Sequence, residues 1–328
     1  MKEGIRCLTY NVGMPQVSLL GKAVEPVPCV EVRFAGLADL LFSTRADVIF
    51  LQELFHAKHR HALVHHLASV YPYTYAHDDA GLMRMSNGLL CLSRFPIVRK
   101  TFVSYDECAL EERMFVSKGF QSMDIQAPGV MISVVHTHLT AGGFFRHPEE
   151  RRYDCIRAKQ ILQFQSHMNR FGCGLAIGDF NAGPQASPDN YDSLTGVLAD
   201  AYVHADMRVG PEVTWDPCNP LNIGGPHKTS PPQRIDHILY NMAFGNLLKP
   251  RAVYTIGQTP FVQTDRGLVP ISDHWGVLVE FIPVLFFLYP FGCIPFWILL
   301  DGFYFFVEDC TKEINWFRFD VSFTKGKS

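Results

Sequence analysis

Gly174-Leu175-Ala176-Ile177-Gly178-Asp179-Phe180-Asn181 is a short apolar run that closes on an acid and an amide. A run of this length, bounded by glycines and turn formers, reads as a strand buried through its apolar part. The polar pair must then sit where the sheet stops. Val48-Ile49-Phe50-Leu51-Gln52-Glu53 repeats the pattern. Six polar strings close predicted strands or follow them: Tyr10-Asn11, Gln52-Glu53, His136-Thr137-His138, Gly178-Asp179-Phe180-Asn181, Arg234-Ile235-Asp236-His237 and Ser272-Asp273-His274. Burying the strands gathers these strings at one rim of the fold.

Outward from them, the pattern predicts strands over Ile5–Asn11, Val48–Glu53, Gly88–Ser93, Val98–Tyr105, Phe115–Ile125, Met131–Leu139, Gly174–Asn181, Arg234–Asn241 and Trp275–Phe281. Helices are predicted over Val32–Thr44, Ala57–Val70 and Pro148–Arg170. The last begins with a proline followed by Glu149 and Glu150, a good start near the positive end of the helix dipole. The strands are too many and too close together for pure βαβ winding. The expected class is α/β, a four-layer αββα sandwich of two packed mixed sheets flanked by helices.

All six strings supply oxygen or imidazole groups. Hard oxygen ligands suit magnesium, which takes few carboxylates and keeps several waters. A carboxylate beside a histidine fixes the tautomer and stabilises the imidazolium, as a general base requires. Taken singly, Asn11 is as good a turn former as a ligand, and an aspartate at a strand end is more often a cap. The order and the strand context give the set its specificity.

TYNVGMP, FLQELF, NGLLCLSRFPI, VVHTHLTA, IGDFNAGP, RIDHILY and PISDHWGVL, in this order, resemble the endonuclease/exonuclease/phosphatase (DNase I-like) superfamily, and within it most nearly the neutral sphingomyelinases. The likeness spans about residues 4–281. Its narrower part rests on Phe115-Val116-Ser117-Lys118-Gly119, the HTHL string, Thr214-Trp215-Asp216-Pro217 with Asn219 nearby, and an apolar appendage. The tryptophan before the GD string and the Trp-Cys-Asp-Arg string expected of inositol polyphosphate 5-phosphatases are both missing. The resemblance implies that Glu53 is the main magnesium ligand, with Asn11 beside it and Asp273 completing the metal side. It implies Asp179 and Asn181 as positioners of water and phosphoryl oxygens, and His274 as general base oriented by Asp236. His138 would bond the phosphoryl oxygen or protonate the leaving group. Lys118 would contact the substrate phosphate, and Trp215 has equal claims as a core residue and as part of a headgroup loop. Mg²⁺ is the implied cofactor, with Mn²⁺ as a substitute. His237 departs from the family, which often has tyrosine there.

The whole chain is 328 residues long, with a formal charge of −3 and no basic run. Nucleic-acid binding leans on Lys and Arg, so this balance tilts against a nucleic-acid partner, and the resemblance implies a membrane phospholipid or sphingolipid substrate. The nine scattered cysteines form no C-x-x-C pair. The expectation is free, mostly buried thiols in a reducing compartment. After Phe281 the composition changes. Ile282–Leu300 is nineteen residues without a charge, about 28 Å as a helix and close to a bilayer core. Pro283, Pro290, Pro295 and Gly292 interrupt any straight helix. The favoured reading is a membrane-associated stretch, re-entrant through Tyr289–Gly292; a segment docked on the domain and an oligomer interface are the alternatives.

The expected organisation is therefore a catalytic domain over 1–281, a hydrophobic segment over 282–307 that meets the bilayer, and a tail over 308–328. Lys312, Arg318, Lys325 and Lys327, partly offset by acids, favour a cytosolic tail, and the expected place of the catalytic domain is the cytosolic side of a membrane. The expected function is a sphingomyelinase-type phospholipase C that releases ceramide and a phosphorylated headgroup. A nuclease on DNA or RNA and a catalytically inactive, membrane-tethered binding module are the alternatives. The histidines from His56 to His66 read as a solvated helical face, and Arg94 as a structural ion-pair partner.

Overall fold

The computed structural model describes residues 4–19, 22–77, 85–141, 150–223, 230–260, 262–264 and 267–284, with short pieces at 287–289, 292–294, 298–299, 302–305 and 317–318. The chain divides into two units, Met1–Pro283 and Val284–Ser328.

In the first unit, seven strands make one sheet in the order Met207–Val209, Leu248–Ile256, Gly276–Pro283, Ile5–Asn11, Val48–Gln52, Leu90–Ser93 and Tyr73–Tyr75. Six make the other: Ala199–Asp200, Asp236–Tyr240, Gly174–Asp179, Val130–His138, Gly119–Ala127 and Ile97–Ser104. Alternation along each strand sorts the side chains. Ile5, Cys7, Val48, Phe50, Val134, Leu175, Ile177 and Ile238 form the core that both sheets share. Leu8, Tyr10, Ile49 and Leu51 pack outward on the helices Val30–Ser43 and Ala57–Leu67. Val135, Ala176 and Leu239 pack outward with Ile161 and Phe164 of the helix Glu150–Met168. The result is the predicted four-layer α/β sandwich.

Parity then decides where the rim residues point. Asn11, Gln52, His136, His138, Asp179 and Asp236 share the parity of the inner-face residues on their strands, so they face the space between the sheets. Register brings them level. Asn11 pairs with Gln52, His138 with Asp179, and Asp179 with Asp236. Strands Asp236–Tyr240 and Gly276–Pro283 run antiparallel to their neighbours. Their beginnings therefore meet the ends of the others.

Several boundaries differ from expectation. Leu110–Phe115 is a helix, and the strand expected from Phe115 begins at Gly119. Leu248–Ile256 is an unpredicted strand; Pro250 sits at an irregularity in its pairing, where a missing N–H is tolerated. His59 is buried rather than solvated, donating to Glu31 Oε1 at 3.1 Å and stacking on Phe34. Arg94 meets Asp47 at 3.4 Å, as a structural partner should. Cys7, Cys29, Cys91, Cys108, Cys155, Cys173 and Cys218 are free, but of these only Cys7 and Cys91 are buried. Pro148 lies outside the described residues.

In the second unit, Phe287–Tyr289 pairs with Gly292–Ile294, Ile298–Leu299 with Gly302–Phe305, and that strand with Phe317–Arg318. These are short antiparallel ladders, in keeping with prolines that interrupt a helix. Among the described residues no helix is long and apolar enough to cross a membrane. Most of the alternating tail lies outside the described residues.

Candidate active site

The inner rim carries a connected set of polar side chains. Asn11 Nδ2 donates to Glu53 Oε1 at 3.2 Å and to Asp179 Oδ2 at 2.9 Å. His138 Nε2 lies 3.9 Å from Glu53 and 3.6 Å from Asp179. His274 Nε2 lies 3.9 Å from Asp179 Oδ2, and its Nδ1–H donates to Asp236 Oδ2 at 2.9 Å. Contacts of under 4 Å thus link Glu53 to His274. Asp273 follows Ser272, whose hydroxyl donates to Asn11 O at 2.7 Å and ties two strand ends together.

Local backbone geometry supports this layout. Glu53 and Asn181 have φ of 59° and 47°, the left-handed region that non-glycine residues enter mainly where structure forces them. Asn181 N–H donates to Asp179 Oδ1 at 2.9 Å and its amide to Leu139 O at 3.2 Å. At Gly178 (φ +143°) a Cβ would fall 1.9 Å from Thr137 O. Only glycine lets the strand bearing Asp179 lie this close to the strand bearing His138.

Burial and crowding set the charges. Glu53 is pushed up to about 7 by burial and then by the Asp273 carboxylate. Asp179 is pushed up to about 6 by burial and then by Asp236. Burial pulls the His274 imidazole down, but the charge and hydrogen bond of Asp236, with Asp273 and Asp179 behind them, hold it well above its ordinary value. His138 is driven well below, first by burial and then by Lys118 and His274. One histidine is thus poised to carry a proton and the other to stay neutral.

Beneath lies a second polar layer. Gln52 Nε2 donates to His136 Nε2 at 2.8 Å, and His136 Nδ1–H donates to Gln121 Oε1 at 3.0 Å, fixing the neutral tautomer across both sheets. Burial lowers the His136 pKa to about 3. The unfolded chain takes up this proton below about pH 6.5, whereas the folded one refuses it until about pH 3. Stability is therefore expected to fall on acidification through that window, by up to about 1.4 kcal/mol per pH unit from this group. His136→Gln should flatten the slope of unfolding free energy against pH in urea titrations; an unchanged slope would contradict the assignment.

The donor set suits a divalent cation. Asp236 Oδ1 and both ring nitrogens of His138 are buried without a hydrogen-bond partner. Two carboxylates are raised because negative charge is crowded in a dry place, which a cation relieves. Two candidate sets lie along the rim. Asp179, Asp236 and His274 offer ligand atoms within 4.8 Å of one another, but the 2.9 Å bond already engages Asp236 with His274. Glu53 and Asp273 form the other set, the Asp273 carboxylate being the charge that most raises Glu53. Asn11, expected as a ligand, here donates to two acids, while its oxygen accepts from Gly13 N–H at 3.0 Å.

Other expected residues are placed as follows. Lys118 is buried, its ammonium donating to Leu139 O at 3.0 Å and His138 O at 3.4 Å and meeting Glu112 at 3.3 Å. Trp215 is 8% exposed, bridged through its backbone to Gln233 and His274, which favours its packing role. His237 points to the outer face: Nε2–H donates to Ala182 O at 2.9 Å, and Arg234 donates to Nδ1 at 3.1 Å. It leaves Asp236 alone.

Two residues at the rim escaped the sequence reading as members of the site. The Thr214 hydroxyl accepts from Ile235 N–H and Asp236 N–H, both at 3.1 Å, and its carbonyl accepts from Trp275 N–H at 2.6 Å. Arg33 is fully buried. No local spacing signals either one.

No curated protein matches the chain significantly. Among solved structures, sphingomyelinase C from Streptomyces griseocarneus is similar with a TM-score of 0.68 at 22% identity, over 84% of this chain and 99% of that one. A beta toxin variant from Staphylococcus aureus with bound magnesium ions gives 0.65 at 17%, over 84% and 99%. Humanized TDP2 from D. rerio gives 0.62 at 18%, over 85% and 99%. At such identities these likenesses speak to fold alone. The model of the Endonuclease/Exonuclease/phosphatase family matches residues 8–274, a span that contains every polar string of the rim. With that match the chain belongs to the Endonuclease/Exonuclease/phosphatase family.

Proposed function

We propose that the protein is a magnesium-dependent phosphodiesterase acting on a membrane sphingolipid, in the manner of a sphingomyelinase-type phospholipase C. The observation that carries the reading is the His274–Asp236 pair set beside the crowded Glu53, Asp273 and Asp179 carboxylates. His274 removes a proton from the attacking water, with Asp236 fixing its tautomer and meeting the imidazolium charge. Glu53 and Asp273 would hold the cation, which would supply positive charge to offset the negative charge developing on the phosphoryl group. Asp179 and Asn181 orient the water and phosphoryl group, and neutral His138 donates to a phosphoryl or leaving oxygen. Lys118 backs His138 through its carbonyl.

Two features support lipid over nucleic acid: the slightly acidic chain and the uncharged stretch after the last strand. Residues 282–307 would hold the enzyme on the cytosolic side of a bilayer. The test incubates the full chain with sphingomyelin or inositol phosphosphingolipid in mixed micelles, with Mg²⁺ or chelator. Mg²⁺-dependent release of phosphocholine or phosphoinositol is expected. Nucleotide release from DNA or RNA, with steep salt dependence, would shift the assignment to a nuclease, and inertness on both would leave a binding module.

A further inference from the structure

Arg33 stands in the helix Val30–Ser43, and its guanidinium makes five hydrogen bonds without touching a carboxylate. Nε donates to Pro28 O at 2.8 Å; Nη1 to Val12 O at 3.1 Å and Ile271 O at 2.7 Å; Nη2 to Gly13 O at 2.6 Å and Val27 O at 3.2 Å. Two of these acceptors directly follow Asn11. Another lies two residues before Asp273. Nothing in the sequence links these segments, 258 residues apart at Gly13 and Ile271. One planar fork joins them because its donors diverge at fixed angles, which an ammonium cannot imitate.

The same place is sterically set. Gly13 has φ of +53°, and a Cβ there would fall 2.0 Å from Asp273 Oδ1. The Asp273 carboxylate therefore rests against the bare Gly13 backbone that Arg33 holds. Burial weakens the hold of Arg33 on its proton, and Asp273 is the foremost charge opposing that effect. The guanidinium thus lies within the field of the acid whose segment it fixes.

We propose that Arg33 is a positioning residue that sets the separation between the Asn11–Glu53 half of the site and the Asp273–His274 half, and thereby its affinity for a divalent cation. This rests on the metal-dependent reading above. A lysine keeps charge but loses the fork, so Arg33→Lys should fold, yet bind Mg²⁺ at least about tenfold more weakly by calorimetry without substrate. Its kcat at saturating Mg²⁺ should recover to within about tenfold of wild type, since no reacting atom has been removed. Native Mg²⁺ affinity in folded Arg33→Lys, with only stability lost, would overturn the proposal.

Should that variant fail to fold, amide exchange in the unaltered protein decides. The Val12, Gly13, Met14 and His274 amides all have acceptors in these segments. They should open as one unit and slow together on addition of Mg²⁺. Independent opening would sink the proposal. A wild-type chain that binds no Mg²⁺ would defeat the metal-dependent reading and the affinity clause with it, and joint opening would then preserve the spacing role alone.

Discussion

His274→Ala is expected to lower kcat by at least about a hundredfold, the low end for loss of a general base. The imidazole lies between two acids, bonded to Asp236 at 2.9 Å through Nδ1 with Nε2 turned toward the Asp179 side of the rim. Its removal deletes the only group among the described rim residues that combines a raised histidine pKa with an orienting carboxylate. The sign of the pH effect follows. A base must be unprotonated, so wild-type activity should climb with pH as the imidazole loses its proton, and that limb should vanish in His274→Ala. Asp236 acts through His274, so Asp236→Ala added to His274→Ala should cost far less than Asp236→Ala alone. Near-normal turnover of the folded single variant would refute the assignment.

Glu53→Ala should be comparably damaging, again at least about a hundredfold in kcat, by a different route. The Glu53 side chain is one-fifth exposed and held in the left-handed region, with its acidity already suppressed by burial and Asp273. A carboxylate kept in so unfavourable a place destabilises the fold until a cation joins it. Glu53→Gln should therefore be more stable than wild type in chelator, yet lose most of the rise in Tm that Mg²⁺ gives the wild type. A variant that loses activity but keeps the full Mg²⁺-induced rise would move the cation to the Asp179, Asp236 and His274 group instead.

Much of this was legible because it depends on parity. GLAIGDFN and VIFLQE declare both a buried strand and the residue that ends it, and alternation then fixes which side chains look inward. What the chain could not declare locally is how its parts are tied. Arg33 reads as one charge on an amphipathic helix, and Thr214 as a loop hydroxyl; their partners are backbone atoms brought near by folding. Leu248–Ile256 was masked by Lys249, Pro250 and Arg251, although its pairing with Met207–Val209 reaches only Ala252–Tyr254 and so asks nothing of the proline. The helix Leu110–Phe115 went unpredicted, and its last residue was read as the start of a strand because Phe115-Val116 looks extended. The preceding Glu112 instead accepts from Thr140 Oγ1 and Ala141 N–H, at 2.6 Å and 3.0 Å, and secures a helical turn beside His138.

The strand Gly276–Pro283 starts two residues after His274 and ends where the uncharged stretch takes over. Eight residues of strand reach roughly 27 Å. Pro283 therefore lies at the end of the domain away from the polar rim. On the proposed membrane-anchored reading, chain leaving at Pro283 would have to turn back along the domain for the rim to meet the leaflet. Reach, as much as chemistry, would on that reading govern which surface the site can meet.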